Sequence, residues 1–150
     1  QYVNPINAEA HYHTTGPEIW KQTEGHVTHV IMAMGSCGTI TGVARYLKEQ
    51  NPHICIVGVD SDRSLRSAGQ PLNYQAEGLG VDVVEGGLLD YHLIDTIFTI
   101  SDEEAFEATR RLAKTYGLLL GISSGAVMHI AETYAKNLSP QDILNQMRRP

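Results

Sequence analysis

"HVIMAMGSCGTITGVARYLKEQ", residues 29–50, decides the fold. Its first half is an apolar run of strand length, and its second half carries Ile40, Val43, Ala44 and Leu47 at helical spacing. Between them lies a turn in which four of the eight residues from Gly35 to Gly42 are Gly or Cys and three are Ser or Thr. A strand that passes straight into a helix through small residues is the opening of a β-α-β unit. The continuation agrees: Asn51-Pro52 ends the helix, and "ICIVGVD", residues 54–60, is a nearly continuous apolar run. Such runs suit parallel strands covered on both faces.

The rest of the chain keeps the alternation. "DTIFTI" predicts a strand, and "SDEEAFEATRRLAKTYG" a helix with Ser101 as cap, Glu104 completing a capping box and Gly117 closing it. "LLLGI" predicts a buried strand, "SSGAVMHIAETYAK" a helix, and "SPQDILNQMRRP" a short terminal helix. Upstream, Thr15-Gly16-Pro17-Glu18 predicts a helix start capped by Thr15, with a stop at Gly25. Residues 61–80 show little periodicity, and a connection of that length in a compact domain is commonly functional. The expected class is α/β, a mostly parallel sheet flanked by helices, in one domain over residues 1–150.

Composition narrows the function classes. The formal net charge of −6 argues against a nucleic-acid partner, because phosphate backbones call for a basic face. No apolar run approaches the roughly 20 residues of a membrane helix. Cys37 and Cys55, without zinc-ligand spacing and without a secretory leader in the opening residues, suggest free thiols in a reducing, cytoplasmic compartment. No metal is expected: His11 and His13 of "HYH" lack further ligands and read as solvated loop histidines. The chain opens on Gln1 in loop-like residues, as a piece of a longer protein would.

In such folds ligands sit at the carboxyl ends of strands beside helix N-termini. Two turns have that chemistry: Gly35–Thr39 and Gly121–Gly125. In the first, bare amides at the positive end of a helix make an anion cradle, and Ser36 and Thr39 add hydroxyls. No lysine follows, which excludes a GxxxxGKS/T nucleotide loop. A dinucleotide site would use Asp60 for the ribose, but its G-x-G-x-x-G needs glycine where Cys37 stands. A plain tight turn with a capped helix is the competing reading. In the second turn, Ser123 or Ser124 could simply cap the helix. Together the turns could hold the phosphate and the ring nitrogen of one ligand.

"QYVNPINAEAHYHTTGPEIW", "GSCGTITGVARYLKE", "EGLG" and "SDEEAFEATRRLAKTYGLLLGISSGAV" occur in the order seen in the cysteine synthase and cystathionine β-synthase family, which the chain resembles over residues 1 to about 137. These are pyridoxal-phosphate enzymes of the tryptophan-synthase-β fold type. The resemblance implies the larger, C-terminal domain of such an enzyme. It implies a phosphate loop of Gly35, Ser36, Cys37, Gly38 and Thr39, matching the family's G-T-G-G-T. Ser123 would face the pyridine nitrogen, and Gly78 of "EGLG" would lie beside the amino-acid substrate. Ser36 keeps the family's hydroxyl, whereas Cys37 for glycine is a departure: it must point away from the phosphate or tighten the site, and a buried, inert thiol is the expectation.

The family's Schiff-base lysine and its T-S-G-N-T-G-type carboxylate loop are absent, so no catalytic residue is assigned here. Lys21, Lys48, Lys114 and Lys136 all fall on predicted helices as solvated residues. The implied reaction is β-replacement on an activated serine of the O-acetylserine type by a sulfur nucleophile, making cysteine, in a homodimer. A cystathionine β-synthase-like condensation of serine with homocysteine is one alternative. A truncated, non-catalytic module that binds pyridoxal phosphate or another phosphate ligand is the other.

Overall fold

The computed structural model describes residues 1–82, 87–139, 142 and 144–146. A parallel four-stranded sheet forms the centre: β1 (His29–Ala33), β2 (Cys55–Ser61), β3 (Thr96–Ile100) and β4 (Leu144–Gln146), in the order β3-β2-β1-β4. β1 and β2 run in register from His29 opposite Cys55 to Ala33 opposite Val59, and β2 and β3 from Val57 opposite Thr96 to Ser61 opposite Ile100. The helices are α1 (Ile6–His13), α2 (Thr15–Gln22), α3 (Gly38–Gln50), the single turn α4 (Leu65–Ala68), α5 (Asp102–Tyr116) and α6 (Ile122–Ala135).

Strand alternation divides the core in two. Val30, Met32 and Met34 point into one cluster with Ile40, Val43 and Leu47 of α3. Ile31, Val57 and Val59 point into another with Ala105 of α5 and Ala126, Val127 and Ile130 of α6. Val30, Ile31, Ile56 and Val57 have no exposed surface, which is why β1 and β2 read as unbroken apolar runs.

The sequence does not predict α1. Its signal is Asn4-Pro5: the Asn4 carboxamide oxygen accepts from the Ile6 amide at 3.0 Å, and Pro5 supplies a helical φ of −62°. The helix buries little of itself, Ala8 alone being buried, so it lacks an apolar stripe. It holds to α3 through side chains instead. Arg45 forms a fork on Glu9 at 2.8 and 2.9 Å and lies 3.9 Å over the Tyr12 ring, while Tyr12 donates to Glu49 at 2.6 Å. At α2, Thr14 and not Thr15 stands at the cap position, and its side chain makes no capping bond.

Two further expectations fail. "LLLGI" forms no strand: residues 118–121 are irregular and Leu119 is 90% exposed. Apolarity alone does not make a strand, and no described strand pairs with this segment. The expected terminal helix is also not found: residues 144–146 are instead β4, alongside β1, and the remainder of that segment lies outside the described residues.

α5 follows its sequence signals closely. Ser101 Oγ accepts from the Glu104 amide at 3.3 Å, and the Glu104 carboxylate accepts from the Ser101 amide at 3.0 Å and hydroxyl at 2.7 Å. The Ser101 amide, then its hydroxyl, hold the Glu104 carboxyl below its usual range. A depressed carboxyl stabilises the fold above its unfolded pKa and loses that contribution as pH falls through the carboxylate range. Ser101→Ala is therefore expected to cost about 1 kcal/mol at neutral pH. The difference from the parent should narrow in acid, as read by urea unfolding at both pH values.

Candidate functional site

β1 ends at Ala33, Met34 beyond it is fully buried, and the chain then turns through Gly35, Ser36 and Cys37 into α3. Cys37 occupies the left-handed region, with φ +65° and ψ 6°. For a residue with a side chain this costs on the order of 1–2 kcal/mol. Its thiol donates to the Gly35 carbonyl at 3.3 Å, and its side chain joins the core behind the loop at 3% exposure. The Cys37 thiol is thus buried, as expected.

Behind the loop stands a charged pair. Arg66 Nη2 donates to the Gly35 carbonyl at 3.1 Å and to Cys37 Sγ at 3.2 Å, while Nη1 donates to Asp60 Oδ1 at 3.0 Å. Asp60 Oδ2 accepts from Ser64 at 2.8 Å and Ser67 at 2.6 Å. Asp60 is wholly buried and the Arg66 side chain is 5% exposed. Asp60 is committed to these donors, which removes the ribose role considered from sequence.

The front of the loop meets the "EGLG" segment. Gly80 N–H donates to the Met34 carbonyl at 2.8 Å, stitching that segment to the end of β1. Gly78 and Gly80 have φ of +86° and +75°, which glycine adopts without strain. A Cβ on Gly35 would lie 3.4 Å from the Gly78 carbonyl, and one on Gly78 would lie 3.0 Å from Ser123 Oγ. Asp102 at the start of α5 fixes the approach by accepting from the Gln75 and Ala76 amides at 2.8 and 3.0 Å. Burial, and then a hydrogen bond to Asp82, push the nearby Tyr74 phenol up to about 12, so it stays protonated at neutral pH.

An open cleft of about 350 Å³ results, lined by Gln1, Tyr2, Gly35, Ser36, Gly78 and Gly80 among others. Of the residues expected from sequence, Gly35, Ser36 and Gly78 line it, and Ser123 stands against Gly78. Gly38 and Thr39 form the first turn of α3 beneath it, with amides that lie ahead of the helical ladder. Neither serine of α6 acts as its cap; that position is Gly121, extended at φ −68° and ψ 160°. The Ser123 hydroxyl has no hydrogen-bond partner among the described residues.

Two site residues were not anticipated. His11 is not a loop residue: from α1 its Nε2 meets Thr39 Oγ1 at 3.0 Å and its Nδ1 meets Thr15 Oγ1 at 2.8 Å. Asn7 donates to Ser36 Oγ at 3.4 Å and to the Gln1 carbonyl at 3.0 Å, filling the room that the missing Gly38 side chain leaves. His13 is exposed beside Glu9 at 3.6 Å, and no cluster of metal-ligating side chains occurs among the described residues.

A helix N-terminus and two positive-φ glycines that bring backbone close border this cleft, and a helix start of that kind favours anions. Comparison with known proteins places the chain in a family. The family model for pyridoxal-phosphate dependent enzymes matches residues 1–145. Cysteine synthase 3 of Caenorhabditis elegans is 47% identical over 127 residues, covering 84% of this chain and 37% of that protein. The crystal structure of the O-acetylserine dependent cystathionine beta-synthase from Helicobacter pylori superposes with a TM-score of 0.87 at 40% identity, over 98% of this chain and 48% of that one. That of O-ureido-L-serine synthase gives a TM-score of 0.90 at 30% identity, over 98% and 47%. The chain thus spans less than half the length of these relatives. Across that span it belongs to the pyridoxal-phosphate dependent enzyme family.

Proposed function

We propose that the chain is the larger-domain part of an enzyme that uses pyridoxal phosphate to replace the β-substituent of an activated serine, of the O-acetylserine type, with a sulfur nucleophile, yielding cysteine. The observation that carries this reading is that the Gly35–Ser36 turn and Gly78 line one cleft, with the Ser123 hydroxyl standing against Gly78. The residues present fit the cofactor. Amides of residues 36–39 and the hydroxyls of Ser36 and Thr39 hold its phosphate, and His11 orients the Thr39 hydroxyl. Ser123 hydrogen-bonds the pyridine nitrogen, and a neutral hydroxyl there leaves that nitrogen unprotonated. Gly78 and Gly80 keep side chains out of the space the amino acid occupies. The chemistry supplied by the bound cofactor is withdrawal of electrons from the substrate's α-carbon, which a neutral ring directs toward elimination and replacement at the β-carbon.

The nucleophilic amine lies outside this chain. Lys48 is engaged with Asp95 at 2.8 Å and with the Ile54 carbonyl, Lys21 and Lys114 are exposed on helices, and Lys136 is exposed just past the end of α6. The intact enzyme would be a cytoplasmic homodimer acting on a small amino acid. The free thiols Cys37 and Cys55 suit a reducing compartment, no described helix is long and apolar enough to cross a membrane, and exposed Val3, Ile6 and Leu119 offer apolar surface for the remainder of the protein or a second subunit.

Borohydride reduction of the intact protein with pyridoxal phosphate, followed by peptide mass spectrometry, tests this. One pyridoxyl group is expected, on a lysine outside residues 1–150. Labelling of Lys21, Lys48, Lys114 or Lys136, or no labelling, would overturn the assignment.

A further inference from the structure

The loop that forms the anion cradle contains a residue in a conformation that side chains resist: Cys37 at φ +65°. Within the loop its thiol contacts the Gly35 carbonyl, at 3.3 Å. A further restraint comes from 29 to 31 residues downstream. One Arg66 nitrogen reaches both the Gly35 carbonyl and the Cys37 sulfur, at 3.1 and 3.2 Å, touching the loop on either side of Ser36. The other nitrogen is anchored on Asp60, itself held by Ser64 and Ser67. A planar guanidinium can make these contacts at once, whereas an ammonium is a point donor.

We propose that Arg66 is a positioning residue that locks the Gly35–Thr39 loop in its anion-binding shape, doing for Cys37 what a glycine would do unaided. Its charge is cancelled by Asp60 next to it, so its contribution is geometric and does not depend on added attraction for phosphate. Residues 60–67 are then a brace: the end of β2 and the turn of α4 carry a fixed charged pair whose second guanidinium nitrogen holds the loop. Loss of the brace lets position 37 relax toward negative φ, swings the amides of Ser36 to Thr39 apart and exposes the thiol. What the loop holds rests on the function proposed above, but the brace itself does not.

The test uses the intact protein and Arg66→Lys, in the parent and in a Cys37→Gly background. Alkylation of Cys37 by iodoacetamide without cofactor is followed by peptide mass spectrometry, with Cys55 as internal standard. Arg66→Lys is expected to speed Cys37 modification about tenfold relative to Cys55, matching about 1.4 kcal/mol of lost restraint. It should raise the Kd for pyridoxal phosphate by a similar factor in the parent. In the Cys37→Gly background the same change should cost less than about threefold, because glycine adopts the turn unaided. Should Arg66→Lys not fold, Asp60→Asn/Arg66→Gln, which leaves no buried charge alone, takes its place with the same expectations. Unchanged Cys37 alkylation, or an equal loss of affinity in both backgrounds, would overturn the brace. A parent that binds no pyridoxal phosphate would sink the cofactor reading while the alkylation result still decides this one.

Discussion

Asp60→Ala is expected to destabilise the domain by about 3–5 kcal/mol, the range for stripping one partner from a buried ion pair. The carboxylate has no solvent contact and serves three donors: Arg66 at 3.0 Å, Ser64 at 2.8 Å and Ser67 at 2.6 Å. Alanine would leave a guanidinium that is 5% exposed with its anchoring partner gone and two hydroxyls without their acceptor. The loss of a hydrogen bond alone is a fraction of this; breaking the buried ion pair dominates. Asp60→Asn should be less damaging, since the amide oxygen still accepts from the two serines. Asp60→Asn paired with Arg66→Met should be milder than Asp60→Ala, because neither charge remains. Urea unfolding of the four proteins gives the comparison. A cost below about 1 kcal/mol for Asp60→Ala would mean that Arg66 swings out to water freely, and would contradict its placement against the loop.

The parts of the fold legible in the sequence are those whose cause is local. β1 and β2 declare themselves because both faces are covered, so residues 30–33 and 56–59 are all apolar or glycine. α5 declares itself through Ser101, Glu104 and Gly117, whose capping roles depend on neighbours within four residues. α1 does not, because it docks through Glu9, His11 and Tyr12 onto side chains of α3 and offers no apolar stripe of its own. "LLLGI" misleads for the opposite reason: its apolarity is real, but pairing needs a partner strand, which none of the described residues supply. The site divides in the same way. Gly35, Gly78 and Ser123 are legible as turn chemistry at helix starts and glycine bends. Arg66, Asn7 and His11 are not, since each contacts the loop across 28 to 31 positions of chain with no period to betray it.

Gly42→Ala is expected to destabilise the protein by about 2 kcal/mol or more, against the usual trend inside a helix. Taken alone, α3 should gain about 1 kcal/mol from alanine, since glycine is among the poorest helix formers. The crossing with α1 reverses the sign. A Cβ at position 42 would lie 2.2 Å from the Ala8 carbonyl oxygen and 2.8 Å from the Tyr12 amide nitrogen. Both are backbone atoms, so no rotamer change relieves the contact and α1 must lift away. That motion loosens the Arg45–Glu9 fork and the Tyr12–Glu49 bond together, and it draws Asn7 from Ser36 and His11 from Thr39. On the proposed function, affinity for pyridoxal phosphate should therefore fall along with stability, although position 42 lies a full helical turn behind the loop. Thermal unfolding and a cofactor titration on the same variant read the two effects. A variant stabilised by its better helix former would show that α1 does not sit against α3 at Gly42, and the His11–Thr39 contact would lose its structural basis with it.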